Sequence, residues 1–222
     1  MNDLETRMKK YENTFRYYIP PRTPLILRID GKAFHTLTRR CEKPFDKKLA
    51  ESLDQVAEKL LSEIQNARMA YLQSDEISIL LIDYNKFTSQ QWFDGNIQKI
   101  VSISASIASA TFSQAYGKEA YFDCRVVSLP ENEVCNYFIW RQQDAVRNSI
   151  QMVAQSLYSH KQLHKKNCNE LQEMIFQKGQ NWNDLDGYWK RGRVIVLGRT
   201  KEIPDFIVDR AYIHYFLQVE EK

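Results

Sequence analysis

Residues 68–82, RMAYLQSDEISILLI, decide the fold. Two short runs rich in apolar residues, Arg68–Leu72 and Ile77–Ile82, flank the polar triplet Ser74-Asp75-Glu76. Apolar runs of this length on either side of a polar turn are typical of a β-hairpin. The segment therefore predicts a hairpin with an acidic pair at its tip.

The flanking regions extend this hairpin into an α+β pattern. Residues 24–30, PLILRID, predict a strand, and residues 46–65 predict a helix with one apolar stripe. Residues 97–116 predict a second helix, and residues 121–129 predict a strand that Pro130 closes. The order βαββαβ is that of the ferredoxin-like split βαβ motif, an antiparallel sheet with two helices on one face.

The remainder of the chain predicts an extension of helices and short strands. A long helical pattern covers residues 131–158, and a second helix is predicted over 163–178. Strands are predicted at Arg193–Leu197 and Ala211–Leu217. We therefore divide the chain into residues 1–130 and residues 131–222.

Composition narrows the class of protein. The chain has 222 residues, of which 43% are hydrophobic and 27% charged, as in ordinary globular proteins. No apolar run approaches the roughly 20 residues that span a bilayer, and the charged start is not a secretory signal. The four cysteines contain no CxxC pair, which excludes a zinc ribbon and argues against a disulfide framework. We expect a cytoplasmic protein without a membrane partner.

Basic residues are unevenly distributed, although the formal net charge is only +3. Residues 145–169 and 187–201 contain no acidic residue, and residues 28–48 hold seven basic and three acidic side chains. Such stretches can follow a phosphate backbone, with Tyr188 and Trp189 available for stacking on bases. The alternative is an ordinary solvated helix face or strand end.

Two carboxylates are the candidate chemical centre. In a split βαβ sheet the end of the first strand, Asp30, lies beside the hairpin tip, Asp75. Two such groups repel each other unless a cation joins them, and Mg²⁺ prefers hard oxygen ligands of this kind. Glu76 points to the opposite face in a regular strand, so we do not expect it to be a ligand. The alternative is a plain turn with a solvated Asp30.

A loop suited to phosphate follows the first carboxylate. Gly31 allows a tight turn in which backbone N–H groups face a triphosphate. Lys32 and His35 add positive charge at the same place.

At these residues the sequence resembles the tRNA-His guanylyltransferase family. The resemblance lies in Arg28-Ile29-Asp30-Gly31-Lys32-Ala33-Phe34-His35, Pro44-Phe45-Asp46 and Ser74-Asp75-Glu76-Ile77-Ser78, in that order and spacing. It is dense over residues 1–130 and thinner beyond. It implies a palm-like catalytic domain over residues 1–130, with residues 131–222 serving tRNA binding and oligomer contacts.

The resemblance also implies a reaction and its partners. A tRNA 5′-monophosphate would be activated with ATP or GTP, and the 3′-hydroxyl of an incoming nucleoside triphosphate would then attack the activated end. Asp30 and Asp75 would be catalytic and would hold two Mg²⁺ with the Gly31 carbonyl. Family members assemble as tetramers, so we expect a homotetramer.

Two residue sets follow from the resemblance and the charge pattern. The expected nucleotide-binding residues are Asp30, Gly31, Lys32, Ala33, Phe34, His35, Asp46, Ser74 and Asp75, with Asp46 near the base. The expected tRNA-binding residues are Arg28, Arg141, Arg147, Lys165, Lys166, Lys190 and Arg191.

One departure from the family pattern affects substrate choice. Eukaryotic members that add G to tRNA-His carry a HINNLYNT motif shortly after a W-R-Q run. Here Trp140-Arg141-Gln142 is followed by a segment that lacks the histidine and most of that motif. The chain thus resembles the guanylyltransferase-like branch, for which template-dependent 3′-to-5′ addition to truncated tRNAs is expected.

Two other functions fit parts of the pattern. A palm-fold nucleotide cyclase also uses two metal-binding carboxylates, but its hairpin motif is GG[DE]EF rather than the SDE found here. An RRM-like module without catalysis has the same βαββαβ order, but it displays aromatic residues on its central strands for base stacking.

Overall fold

A computed structural model describes residues 3–196, 199–201 and 203–218. The helices are α1 (Asp3–Asn13), α2 (Phe34–Leu37), α3 (Lys47–Glu63), α4 (Ile97–Tyr116), α5 (Glu131–Leu157), α6 (His160–Leu163), α7 (Cys168–Gln177), α8 (Gly187–Arg191) and α9 (Ala211–Tyr215). The strands are β1 (Leu25–Gly31), β2 (Ala67–Gln73), β3 (Glu76–Leu81), β4 (Phe122–Ser128), β5 (Arg193–Val196) and β6 (Arg199–Lys201). Short 3₁₀ turns lie at Thr38–Arg40, Trp92–Gly95 and Trp182–Asp184.

The strands form one antiparallel sheet in the order β4-β1-β3-β2-β5-β6. Strands β1 to β4 lie in the order β4-β1-β3-β2, which is that of the split βαβ motif and confirms the predicted topology. The C-terminal part extends the same sheet, because β5 pairs with β2. The two parts of the chain therefore share a single sheet.

Alternating side chains give the sheet two packed faces. Along β1, Leu25, Leu27 and Ile29 enter a core with α3 and α4, whereas Ile26 enters a second core beneath α5. The predicted pair of helices on one face is confirmed. The C-terminal extension covers the other face through Phe138 of α5 and Phe206.

The C-terminal elements differ from the prediction in two places. The predicted strand Ala211–Leu217 is helix α9 followed by a turn, because Ile213, Phe216 and Leu217 repeat at helical spacing and are all buried. The predicted helix over 163–178 is divided, since Asn167 caps the start of α7 at Cys168. The predicted strand Arg193–Leu197 is found as β5, and its last residue lies outside the described residues.

No helix within the described ranges is long and apolar enough to cross a bilayer. All four cysteines are free thiols.

Phe112 fixes the helical layer to the sheet, so replacing it tests the packing. Its fully buried ring lies 5.2 Å from that of Phe34 and 5.6 Å from that of Phe122, measured between centroids. Phe112→Ala should lower the free energy of unfolding by about 3–5 kcal/mol, since it leaves a cavity in the core. Urea denaturation measures the change. Phe87→Ala is the control, because Phe87 is 94% exposed and its loss should change stability little. Equal effects of the two variants would contradict this packing.

Candidate active site

The structure brings the two predicted catalytic carboxylates together. Strands β1 and β3 pair in a register that sets Asp30 opposite Glu76, so Asp75, in the turn before β3, lies next to Asp30. Ser74 in the same turn has a left-handed backbone, with φ 50°. Its hydroxyl donates to the Asp75 carboxylate at 3.0 Å. The hairpin tip and the end of β1 thus form one acidic corner.

This corner favours a bound cation. Burial raises the pKa of the Asp75 carboxyl, and the negative charge of Asp30 raises it further. Arg125 offsets little of that charge, because its guanidinium is 4.0 Å from the Asp30 carboxylate and mostly exposed. The donor set of two carboxylates beside the Gly31 carbonyl suits Mg²⁺, which takes its other ligands from water and phosphates. Among the described residues no cluster of three or more acidic, histidine or cysteine side chains could hold a metal by itself.

The loop after Asp30 is shaped by glycine and by a buried ring. A Cβ added at Gly31 would lie 2.3 Å from the ring of Phe34, so only glycine fits there. Ala33 has a left-handed backbone with φ 56°, and it turns the chain into α2. Lys32 and His35 are exposed on this loop.

Phe34 differs from the other predicted nucleotide-binding residues. Its ring is buried and packs against Phe112 and Phe122. Its side chain therefore cannot face a nucleotide, and only its backbone remains available.

A pocket opens beside the acidic corner. It lies between the start of α3, the hairpin, the middle of α5 and α8. Its lining residues include Phe45, Asp46, Leu49, Gln73, Ser74, Asn148, Met152 and Trp189. Ser74 and Asp46, both predicted to bind nucleotide, face this one space. Its mixture of apolar walls and a few amide and hydroxyl groups is typical of a ligand site.

Asp46 is one of the residues in the cavity wall. It caps α3, because its carboxylate accepts from the backbone N–H of Leu49 at 2.8 Å and from that of Glu42 at 3.1 Å. The bond from Leu49 is the main cause that lowers the pKa of Asp46. Asp46 is therefore held as an anion at a fixed place in the cavity wall.

Three lining features were not predicted from the sequence. The rings of Phe45 and Trp189 stack with centroids 4.8 Å apart and planes 12° apart. Tyr188 donates to Asp54 at 3.0 Å, and Arg193 pairs with the same carboxylate. The sequence indicates Tyr188 and Trp189 only as candidates for stacking on bases, and no local signal connects them to α3.

A buried ion pair connects the hairpin to α5. The Arg141 guanidinium donates to both oxygens of Glu76, at 2.7 and 2.8 Å, and to Asp144 at 2.8 Å. Burial raises the pKa of Glu76, and the charge of Arg141 opposes that shift. Gln73 joins this network by donating to Asp144 at 3.3 Å. Because Glu76 is the register partner of Asp30, the two side chains lie on the same face of the sheet, so the expectation that Glu76 points away from the carboxylate pair is wrong for Asp30.

The predicted tRNA-binding residues do not form one set. Arg141 is 7% exposed, and its guanidinium is occupied by Glu76 and Asp144, so it has no free surface for a phosphate. Arg28 is half-buried in β1, with its guanidinium 5.9 Å from the ring of Trp140. Its Nε has no hydrogen-bond partner among the described residues.

The other predicted tRNA-binding residues reach the surface. Arg147 is 59% exposed on α5 and pairs with Asp144. Lys165 and Lys166 are exposed in the turn between α6 and α7, where Lys166 also pairs with Glu170 at 2.9 Å. Lys190 and Arg191 are half-buried on α8.

The sheet does not offer the surface of an RRM. On β3 the positions facing α5 are Glu76, Ser78 and Leu80, and Ser78 is hydrogen-bonded to Tyr137 of α5 at 2.9 Å. Tyr71 on β2 is fully buried. The described part of β2 and β3 thus presents no exposed aromatic residue for base stacking.

Comparison with known proteins agrees with this geometry. A family model described as tRNAHis guanylyltransferase matches residues 5–130, more than half of the chain. The tRNA(His) guanylyltransferase of Debaryomyces hansenii is 28% identical over 204 residues, covering 81% of this chain and 75% of that protein.

Solved structures extend the likeness to the whole chain. A bacterial tRNA(His) guanylyltransferase-like protein in complex with ATP is 45% identical, with a TM-score of 0.93, and the match covers 98% of this chain and 100% of that one. A bacterial protein of the same description in complex with GTP is 43% identical, with a TM-score of 0.87 and coverage of 97% and 99%. The palm-like fold expected from the sequence is confirmed.

The buried pair between Arg141 and Glu76 can be tested by stability. Arg141→Met should destabilise the protein by about 3–5 kcal/mol, because it leaves the Glu76 carboxylate buried without its partner. Arg147→Met is the matched control on the same helix, and loss of this exposed arginine should cost less than about 1 kcal/mol. Urea denaturation of both variants measures the difference. A stable Arg141→Met variant would show that the pair does not hold the hairpin.

Proposed function

Because the chain belongs to the tRNAHis guanylyltransferase family, and is thus a tRNA nucleotidyltransferase, we propose that it adds nucleotides to the 5′ end of tRNA. The addition is template-dependent and runs in the 3′-to-5′ direction. Its main role is repair of 5′-truncated tRNAs, with G addition to tRNA-His as a second activity.

The proposal rests chiefly on the juxtaposition of Asp30 and Asp75 beside the cavity. The register of β1 and β3 supplies the carboxylate pair, and Ser74 belongs both to the hairpin tip and to the cavity wall. A nucleoside seated in the cavity therefore has its phosphates next to the carboxylates. Such positioning supplies much of the rate enhancement in phosphoryl transfer.

The residues fit a metal centre of two Mg²⁺ held by Asp30, Asp75 and the Gly31 carbonyl. When bound, these ions would stabilise the negative charge that develops on the transferring phosphates. The chain's own part is to hold both carboxylates at one corner and to keep Asp75 oriented through Ser74.

The nucleotide site combines the cavity with the loop after β1. The cavity, with Asp46 in its wall, takes the base and the sugar, while Lys32 and His35 are exposed for contact with the triphosphate. The ATP and GTP complexes of the bacterial relatives support a site that accepts either purine. Either nucleotide would transfer its nucleoside monophosphate to the tRNA 5′-monophosphate and release pyrophosphate. The 3′-hydroxyl of an incoming nucleotide would then attack the activated 5′-phosphate and expel AMP or GMP.

The RNA, rather than the protein, determines which nucleotide is added. The opposite strand of the acceptor stem selects the incoming nucleotide by base pairing, so the protein needs phosphate contacts more than base contacts. Arg147, Lys165, Lys166, Lys190 and Arg191 remain candidates for these contacts. We propose, on the family resemblance, that the enzyme is a cytoplasmic homotetramer.

A direct assay tests the function. The protein is incubated with a 5′-truncated, 5′-monophosphorylated tRNA, Mg²⁺, ATP and each nucleoside triphosphate in turn, and with full-length tRNA-His in parallel. We expect addition of the nucleotide that pairs with the opposite strand. Formation of a cyclic product from GTP alone, with no RNA extended, would overturn the proposal in favour of a cyclase.

The carboxylate pair gives the sharpest variant test. Asp30→Ala and Asp75→Ala should each lower the transfer rate by about 1,000-fold or more, because metal stabilisation of the transition state is worth several kcal/mol. Affinity for tRNA should stay within a few-fold, as measured by filter binding.

Asp123→Ala is the matched control for that test. Asp123 is an exposed residue of β4 that pairs with Asp30 in the β1–β4 register. Its replacement therefore removes one negative charge from the same end of the sheet. Transfer should be retained within a few-fold. Loss of activity in all three variants would indicate a general charge effect rather than two specific ligands.

The basic turn between α6 and α7 gives a test of RNA contact. Lys165→Ala with Lys166→Ala should weaken tRNA binding and lower the slope of log K against log salt by about 1–2, because two phosphate contacts are lost. Affinity and slope are measured by fluorescence anisotropy over a salt series. Unaltered values would assign this turn to solvated surface.

A further inference from the structure

A second open space adjoins the loop of residues 31–35. It is an open basin formed by this loop, the turn after α2 and the segment that leads into β4. It shares no lining residue with the nucleoside cavity. The basin touches the β4 side of the sheet, whereas the cavity touches the β2 and β5 side.

The basin is strongly basic. Its lining includes Lys32, Arg39, Arg40 and Lys118, all exposed, against the single acidic residue Glu119. Glu119 already accepts a hydrogen bond from the hydroxyl of Tyr121. The basin thus has four basic side chains and one acidic side chain, a local charge of +3 that equals the formal net charge of the entire chain.

Three of these cations lack the ion-pair partners that other surface lysines have, and the Lys118 ammonium lies 5.9 Å from the centre of the Tyr116 ring. Lys9 pairs with Glu5 and Lys59 with Glu63, each at helical spacing. Within the described ranges, Arg39, Arg40 and Lys118 form no ion pair. Like charges collected without counter-charges repel one another, and a polyanion relieves that repulsion.

One of the residues that line the basin is aromatic. Tyr121 is 54% exposed, and the Lys32 ammonium lies 5.8 Å from the centre of its ring. The next residue, Phe122, pairs with Gly31 in the β1–β4 register. The ring is therefore one strand away from Asp30. An exposed ring beside unpaired cations is the combination that binds single-stranded nucleic acid.

We propose that this basin binds the RNA substrate next to its reacting 5′ end, with Arg39, Arg40 and Lys118 on backbone phosphates and Tyr121 under an unpaired base. The assignment rests on the proposed function, because it takes the RNA 5′ end to lie at Asp30. The nucleoside triphosphate already has the cavity and Lys32, so the remaining cations serve the second substrate. Arg39 and Arg40 belong to the basic stretch 28–48 noted in the sequence, but none of the three cations was named there as an individual tRNA-binding residue.

The test removes three charges and leaves the nucleotide site intact. Arg39→Ala, Arg40→Ala and Lys118→Ala are combined, while Lys32 is kept. Binding of a 5′-truncated, 5′-monophosphorylated tRNA is measured by fluorescence anisotropy at several salt concentrations, without transfer. We expect at least about tenfold weaker binding at low salt and a salt slope reduced by about 2–3, with ATP affinity unchanged.

A matched variant controls for net charge. Lys9→Ala, Lys59→Ala and Lys86→Ala combined remove the same charge from exposed positions outside the basin. This variant should bind the RNA within about twofold of the unaltered protein at each salt concentration. Thermal unfolding followed by circular dichroism verifies that both variants are folded.

Tyr121 gives an independent readout of base contact. Tyr121→Ala should weaken RNA binding by about 5- to 100-fold, the range of one stacked base, whereas Tyr121→Phe should bind within about twofold because the ring is kept. A Phe variant as weak as the Ala variant would assign Tyr121 to its bond with Glu119 and overturn the stacking role.

The outcomes separate this proposal from the proposed function. Triple-variant binding equal to that of the charge control would overturn the basin, even if transfer is intact. A loss of ATP affinity without a loss of RNA affinity would also overturn it, by assigning the basin to the triphosphate. Basin-dependent RNA binding in a protein that extends no tRNA would support the basin while refuting the proposed reaction.

Discussion

The antiparallel register between β1 and β3 is the constraint on which the site depends. It sets Asp30 opposite Glu76, which leaves Asp75 beside Asp30 and directs Glu76 to Arg141 of α5. The register is fixed by burial, since Leu27 and Ile29 fill the core under α3 and α4. A slip of one residue would turn Asp30 toward that core and the apolar residues toward α5. Hydrophobic packing on one face thus determines where the charged groups of the other face meet.

Charge is arranged around this register in a consistent way. Asp30 and Asp75 lie together where β1 ends and β3 begins. Burial and the negative charge of Asp30 raise the pKa of Asp75. The third acidic group, Glu76, is paired with Arg141, and its negative charge still contributes to the raised pKa of Asp75. Basic side chains are placed beyond the corner, on the loop after β1 and in the basin. This arrangement suits a reaction in which cations and phosphorylated substrates meet, because bound cations would offset the two carboxylates and substrate phosphates would offset the basic side chains.

The sequence predicts the parts of the site that depend on local pattern. The hairpin of residues 68–82, the strand that ends at Asp30 and the βαββαβ order follow from apolar periodicity, and the structure agrees with them. The cavity could not be predicted, since its walls join Phe45 to Trp189 and Ser74 to Asn148 across long stretches of chain. Arg141 was predicted to bind tRNA, and only the fold shows that its guanidinium is occupied by Glu76. The secondary structure of Ala211–Leu217 could not be predicted either, because it depends on packing against α5.

The hairpin connects the wall of the cavity to the acidic corner. Gln73 and Ser74 line the cavity, and Asp75 follows directly, so the wall of the proposed nucleoside site and the acidic corner belong to one continuous turn. Gln73 is hydrogen-bonded to Asp144, which is paired with Arg141, which in turn holds Glu76 on the other strand of the hairpin. Both sides of the turn are therefore anchored to α5. A site held in this way keeps the distance from base to reacting phosphate fixed, and that distance must be reproduced at each addition for the 3′-hydroxyl and the RNA end to meet.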